Sequence, residues 1–175
     1  MVALIHGSHR HGFNWEVVNM LKDKFMEKGE IVEIIDLSEL EFEYSTGNQI
    51  PFEQESIEYK DQFVDKAGKY ILAADIIYIV TPTYYNMPPA KLKNFIDRSD
   101  SLLSVFESRD DLPKFGAWAS GEADIDSING NLELLKGYAD VFGWKIVEDS
   151  FKASLLEDSG EIDLSEISNV IDAFL

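Results

Sequence analysis

The sequence predicts an α/β domain in which one parallel sheet is covered by helices on both faces. Three observations lead there. Apolar runs of strand length alternate with stretches of helical periodicity, five times over. The clearest strand, Ile76–Thr81, is apolar at nearly every position, as a strand buried on both faces should be. A chain of 175 residues with 45% hydrophobic content suits one domain, spanning 1–175, with a core of ordinary size. Alternation of this kind implies parallel strands joined by right-handed crossovers.

In chain order, Val2–His6 reads as the first strand. A Gly-Ser turn follows, then a helix from about Asn14 to Lys28 that puts Trp15, Val18, Leu21 and Phe25 on one face and ends at Gly29. Ile31–Leu37 is the second strand. Glu41 to Ser56, with Gly47, Asn48 and Pro51, reads as irregular. Ile57 to Ala74 is a helix with Phe63, Ala67, Tyr70 and Ile71 on its buried stripe. After the third strand, Pro89 opens a helix through Ser99, because the fixed φ and missing N–H of proline suit a first helical turn. Phe115–Ala119 is the fourth strand. Leu132, Leu135, Tyr138 and Phe142 mark a helix ended by Gly143, Trp144–Lys152 is the fifth strand, and Leu164–Leu175 is the last helix.

Composition narrows the function classes. The absence of cysteine excludes a disulfide scaffold, a thiolate zinc site, a cysteine-ligated iron–sulfur cluster and a cysteine nucleophile. With 33 acidic and 15 basic residues the net charge is −18, which repels phosphodiester backbones and anionic lipid. Neither nucleic acid nor membrane is an expected partner. No apolar run approaches a bilayer span, and the N-terminus has neither the basic region nor the cleavage site of a signal peptide, so a cytoplasmic location is the expectation. Against this acidity, all three histidines, His6, His9 and His11, crowd one window beside Arg10, one of only three arginines.

In a doubly wound sheet, ligands bind beyond the carboxyl ends of the strands, where the strand order reverses. The loops to weigh are therefore Gly7–Asn14, Pro82–Pro88 and Ser120–Asn129. The first runs from a strand into a helix start, where backbone N–H groups and the helix dipole favour an anion. Ser8 and Asn14 add side-chain donors, and Arg10 adds a permanent forked charge. The loop lacks the Gly-Lys-Ser/Thr ending of a Walker loop and the third glycine of a dinucleotide fingerprint. It is equally compatible with a plain Gly/Ser turn. The second loop holds Tyr84 and Tyr85, which can stack on a flat ring or simply pack. In the third, Gly121 permits close backbone approach to a ligand, or a turn. His9 and His11 stand two apart with no third donor near in sequence, whereas a metal centre needs three or four converging ligands. No metal is expected, and His6 reads as a half-buried, satisfied histidine.

Two motifs resemble the NAD(P)H-dependent FMN reductase family of flavodoxin-like proteins. Gly7-Ser8-His9-Arg10 through Asn14 is similar to the family's Gly-Ser-x-Arg phosphate loop. Thr81-Pro82-x-Tyr84-Tyr85-Asn86, followed by Leu92-Lys93-x-x-Ile96-Asp97-Arg98, is similar to its flavin-ring loop and the helix after it. Phe13 stands where the family usually has Ser or Thr, and Glu122 where it often has a second glycine. The resemblance implies a flavodoxin-like three-layer α/β/α fold, with a five-stranded parallel sheet of order 2-1-3-4-5. It implies FMN as cofactor, with Ser8, Arg10, Gly12, Phe13 and Asn14 at the phosphate. Pro82, Thr83, Tyr84, Tyr85, Asn86, Ser120, Gly121 and Glu122 would lie along the ring. It also implies NAD(P)H as co-substrate, a quinone, free flavin or similar small molecule as acceptor, and a homodimer or homotetramer.

No side chain in these loops is needed as a catalytic acid or base, because a flavin carries the electron chemistry itself. No Gly-x-Ser-x-Gly occurs, which removes the serine-hydrolase reading. Three classes stand: an FMN-dependent reductase, a flavodoxin-type electron carrier suited to the acidic surface, and a ligand-free interaction domain. Arg98, about three helical turns beyond the second loop, is expected to be structural and to pair with a carboxylate such as Asp97, or with a neighbouring subunit.

Overall fold

The computed structural model describes residues 1–47, 50–122, 124–156 and 162–175, apart from the side chains of Ser56 and Glu58. Asn48 and Ala123 thus lie outside the described residues. The strands are β1 Val2–His6, β2 Val32–Asp36, β3 Ile76–Pro82, β4 Lys114–Gly121, β5 Lys145–Ile146 and β6 Lys152–Leu155. All their pairings are parallel, in the order β2-β1-β3-β4-β5, with β6 also on β4. The helices are α1 Phe13–Glu27, α2 Phe52–Glu58, α3 Gly68–Ala73, α4 Ala90–Ser99, α5 Leu103–Glu107, α6 Ile125–Val141 and α7 Leu164–Phe174. The fold is flavodoxin-like.

Period-two alternation in fully buried strands builds two cores, one on each face of the sheet. Ala3, Ile5, Ile77, Ile79, Phe115, Ala117 and Ala119 face one way and pack with α3, α4 and α6. Val2, Leu4, Ile76, Tyr78, Val80 and Trp118 face the other way and meet α1 and α7. The expected stripe of α6, Leu132, Leu135, Tyr138 and Phe142, is buried, as are Val18, Leu21 and Phe25 of α1. Gly29, at φ 90°, takes the left-handed turn that ends α1.

Around the second helix the structure departs from the sequence expectation at two points. The stretch expected to be irregular up to Ser56 contains the start of α2, with Pro51 at the cap position. The single helix expected from Ile57 is then broken. Asp61 accepts hydrogen bonds from the N–H groups of Phe63 (3.1 Å) and Val64 (3.3 Å), starting a new segment that winds as a π-turn over Phe63–Ala67 before α3. A carboxylate that satisfies first-turn donors restarts a helix even where the apolar periodicity runs on.

The fifth strand, expected as Trp144–Lys152, is also broken. Lys145 pairs with Lys114, but Lys152 pairs with Trp118, so the intervening residues bulge into a turn at Glu148–Ser150. The bulge gives the fully buried Tyr78 hydroxyl an acceptor, the Ser150 carbonyl, at 2.8 Å. It also requires glycine at position 116, where a Cβ would lie 2.0 Å from Ser150 Oγ and 2.9 Å from Phe174.

Candidate functional site

The carboxyl ends of β1, β3 and β4 deliver the three loops to one cavity of about 790 Å³. Every loop residue that the sequence singled out for the ligand, from Ser8 to Glu122, lines it. His11, Asp124, Ser127, Ile128 and Leu156 line it as well. The N-cap and first turn of α6 carry three of these residues, Asp124, Ser127 and Ile128. Their signal in the sequence was the Asp124-x-x-Ser127 spacing of a helix cap, which points to a helix start and not to a ligand. A second cavity, about 570 Å³, lies beside α4 and α6, and the charges in its floor, Arg98 and Glu55, are already paired.

One end of the larger cavity gathers donors and positive charge. The first loop crosses β3 closely, with Gly7 N–H donating to the Val80 carbonyl at 2.8 Å. A Cβ at Gly7 would stand 2.8 Å from Leu92 and 3.0 Å from Thr81. Gly12 caps α1 with no side-chain hydrogen bond, which leaves the helix N-terminus to the cavity. Ser8 Oγ accepts from the Arg10 N–H at 3.3 Å, and Arg10 is the only lysine or arginine among the described lining residues. The Asn14 carboxamide accepts the Ser120 hydroxyl at 3.0 Å through Oδ1, so its Nδ2 is the atom presented elsewhere.

The other end is flat and aromatic. Tyr84 and Met87 exchange two backbone hydrogen bonds of 2.9 Å around Tyr85 and Asn86, at φ 49° and 65°. Positive φ at both central residues defines a type I′ turn, a conformation asparagine tolerates and tyrosine resists. Tyr85 is held there fully exposed. The turn is tied down on three sides. Thr83 N–H donates to the Ser120 carbonyl at 2.7 Å, Ser127 Oγ donates to the Asn86 carboxamide oxygen, and Asn131 Nδ2 donates to Thr83 Oγ1 at 3.1 Å. Side-chain hydrogen bonds thus staple all three loops into one rim.

Behind the anion loop lies a cluster that sequence spacing did not show. The register of β1 on β2 sets His6 opposite Asp36. His6 Nδ1 donates to Asp36 Oδ1 at 2.8 Å, and His11 Nε2 reaches Asp36 Oδ2 at 2.6 Å. His6 is fully buried, not half-buried, and among the described residues its Nε2 has no hydrogen-bond partner. Burial pushes the His6 imidazolium down from its usual range, against the pull of Asp36. Burial would raise the Asp36 carboxyl, but hydrogen bonds from His11, His6 and Ser38 outweigh it and hold it at about 2.

Arg98 lies apart from this cavity and is structural. Its Nε donates to Glu55 at 2.6 Å, and its Nη1 to Asp61 at 2.7 Å and to the Glu43 carbonyl at 2.9 Å. The guanidinium stacks 4.2 Å from the Tyr59 ring centroid. The expected local pairing with Asp97 is not made, because Asp97 takes Lys93 one turn back on the exposed side of α4.

Comparison with known proteins agrees with this geometry. The sequence profile of a family described as NADPH-dependent FMN reductase matches residues 1–115. The chain belongs to that family, and so to the flavin-dependent oxidoreductases. Among solved structures, an apo NADH:FMN oxidoreductase superposes with a TM-score of 0.70 at 16% identity, over 99% of this chain and 87% of that one. The Trp repressor binding protein of Bacillus subtilis gives 0.68 at 17% identity, over 100% and 98%. A WrbA-like flavodoxin from Agrobacterium tumefaciens gives 0.64 at 17%, over 98% and 91%. At such identities these structures show the fold alone. No curated protein matches the chain in sequence.

Proposed function

We propose that the chain binds one FMN and uses it to pass reducing equivalents from a reduced nicotinamide nucleotide to a small acceptor such as a quinone or free flavin. One observation carries this reading: a single cavity joins a cationic helix N-terminus at one end to a rigid, tyrosine-lined turn at the other. Its volume of about 790 Å³ falls in the range of cofactor sites. Among the described residues the donor set has one anion position and no second one, which suits a mononucleotide. Bound FMN would supply the hydride and electron chemistry.

The protein's part is to bind and orient. Arg10, Ser8 and the α1 N-terminus hold a phosphate, and Asn14 presents Nδ2 because Ser120 occupies Oδ1. Tyr84 and Tyr85 offer π faces to a ring, on a turn whose geometry is set before any ligand arrives. On the same reading the chain works in the cytoplasm as a homodimer or homotetramer, which light scattering of the purified protein measures. The acidic surface, net charge −18, favours one alternative, an electron carrier that docks a basic protein.

An absorption spectrum of the purified protein, chromatography of the cofactor released by heat, and steady-state NAD(P)H oxidation with a quinone test these readings together. The expected result is stoichiometric FMN with turnover. FMN without turnover selects the carrier. Stoichiometric FAD, or no flavin after reconstitution, overturns both. Arg10→Ala is expected to weaken FMN binding by about 1–3 kcal/mol while leaving riboflavin binding unchanged, since riboflavin lacks the phosphate. Equal losses for both ligands would assign Arg10 to the fold.

A further inference from the structure

We propose that His6, His11 and Asp36 form a binding site for one divalent transition-metal ion of the zinc class, set behind the anion loop. The three ligand atoms, one from each residue, lie within 4.8 Å of one another. They come from three separate segments: the end of β1, the loop before α1 and the end of β2. The spacing of His9 and His11 offered two donors and no third. Folding leaves His9 outside the cluster, beside Tyr84, and brings His6 and Asp36 to His11 instead.

Each ligand is held in place before an ion arrives. His6 and Asp36 are register partners in the sheet, and the Leu37 N–H donates to the His6 carbonyl at 3.0 Å. The Ser38 N–H and hydroxyl donate to Asp36 Oδ1 at 2.9 and 2.8 Å, which orients the carboxylate. The His11 ring stacks on Trp15 at 4.2 Å between centroids, and the His6 ring meets the same indole edge-on at 5.1 Å. In a tetrahedral zinc site with bonds of about 2.0–2.1 Å, ligand atoms stand about 3.3 Å apart. His6 Nδ1 now sits 2.8 Å from Asp36 Oδ1 and His11 Nε2 2.6 Å from Asp36 Oδ2, so an ion parts each nitrogen from its oxygen by about half an ångström or more and draws all three ligand atoms to a common spacing.

The donor chemistry agrees. Two imidazoles and one carboxylate suit Zn²⁺ or Co²⁺ better than Mg²⁺ or Ca²⁺, which take oxygen ligands. His11 is partly exposed and lines the cavity, so ions have a way in and a fourth position opens to water. Ligation needs a lone pair at each facing nitrogen, so the hydrogens that now point to Asp36 move to the far nitrogens. For His6 that is the buried Nε2, which has no acceptor among the described residues. That cost sets the expected affinity in the micromolar range, below that of dedicated structural zinc sites.

The test needs neither flavin nor turnover and stands apart from the proposed function. The whole chain, stripped by a chelator, is titrated with zinc sulfate by calorimetry in excess Mg²⁺, which occupies surface carboxylates. One Zn²⁺ per chain with a micromolar dissociation constant is expected. Co²⁺ should give tetrahedral visible bands and quench Trp15 fluorescence. His11→Gln, at an exposed position that preserves the fold by circular dichroism, should weaken binding at least tenfold, and His9→Gln should not. The site is overturned by the absence of a saturable stoichiometric step or by an unchanged constant in His11→Gln. Loss of binding in His9→Gln also overturns it, because it assigns the ion to chelation by the loop pair.

Discussion

Tyr85 shows at the scale of one residue how a cavity-lining loop stores strain. A side chain larger than asparagine at φ 49° costs on the order of 1 kcal/mol, and it persists because Asn86, Thr83 and the Tyr84–Met87 hydrogen bonds fix the turn around it. Tyr85→Gly removes that strain together with the aromatic face. The expected outcome is a thermal midpoint equal to or above wild type, with faster loss of flavin on dialysis. A lower midpoint with unchanged flavin retention would mean that the ring serves packing. Asp61 makes a second case. Burial would raise its carboxyl, yet Arg98 and nearby N–H groups hold it below the usual value of 3.8. A depressed folded value stabilises the fold fully above the unfolded value and loses that contribution as pH falls through the folded one. Asp61→Asn should therefore melt earlier than wild type at pH 7, and the gap should close as pH drops below about 4. A gap that does not change with pH would count against the pairing.

At the scale of elements, the interruption between β5 and β6 decides how α7 closes one face of the sheet. Glycine at 116 leaves room for Ser150 and for the Phe174 ring at the end of α7, against which Tyr78 packs edge-on at 5.8 Å. Gly116→Ala places a methyl group where the Ser150 and Phe174 side chains already stand, so the bulge or α7 must shift to make room. A loss of about 1–3 kcal/mol in denaturant melts is expected, with the cavity at the loops unaffected because Gly116 lies at the opposite end of β4 from Ser120 and Gly121. Unchanged stability would show that the bulge yields freely. The break between α2 and the π-turn follows the same logic, since Asp61 both caps the new segment and receives Arg98.

At the scale of the molecule, a net charge of −18 on 175 residues makes self-repulsion a standing cost of compactness at pH 7. Screening shortens from about 30 Å at 0.01 M salt to about 3 Å at 1 M. Raising sodium chloride across that range should raise the melting temperature by several degrees. A flat or falling midpoint would show that attractive pairs such as Lys145–Asp111 and Lys136–Glu148 dominate the surface instead. Among the described residues no helix is long and apolar enough to cross a membrane, in line with the scarcity of long apolar runs.

The architecture was legible in the sequence because it follows from local periodicity. The nearly all-apolar Ile76–Thr81, the faces of α1 and α6, and Gly29 at a helix end each declare themselves within one or two turns of chain. The convergence of the three loops on one cavity was legible for a related reason: in a parallel sheet, the carboxyl ends of strands on either side of a crossover must lie together. Tertiary structure alone decided what depends on partners distant in sequence. Arg98 chose Glu55 and Asp61 over the adjacent Asp97 because the interior offered carboxylates that needed a cation. The fifth strand broke because Tyr78 needed an acceptor. His11 gained Asp36 and His6 through the register of β1 on β2, a relation that no spacing within the first loop contains. Periodicity is a property of neighbours along the chain, whereas the satisfaction of buried polar groups is a property of neighbours in space.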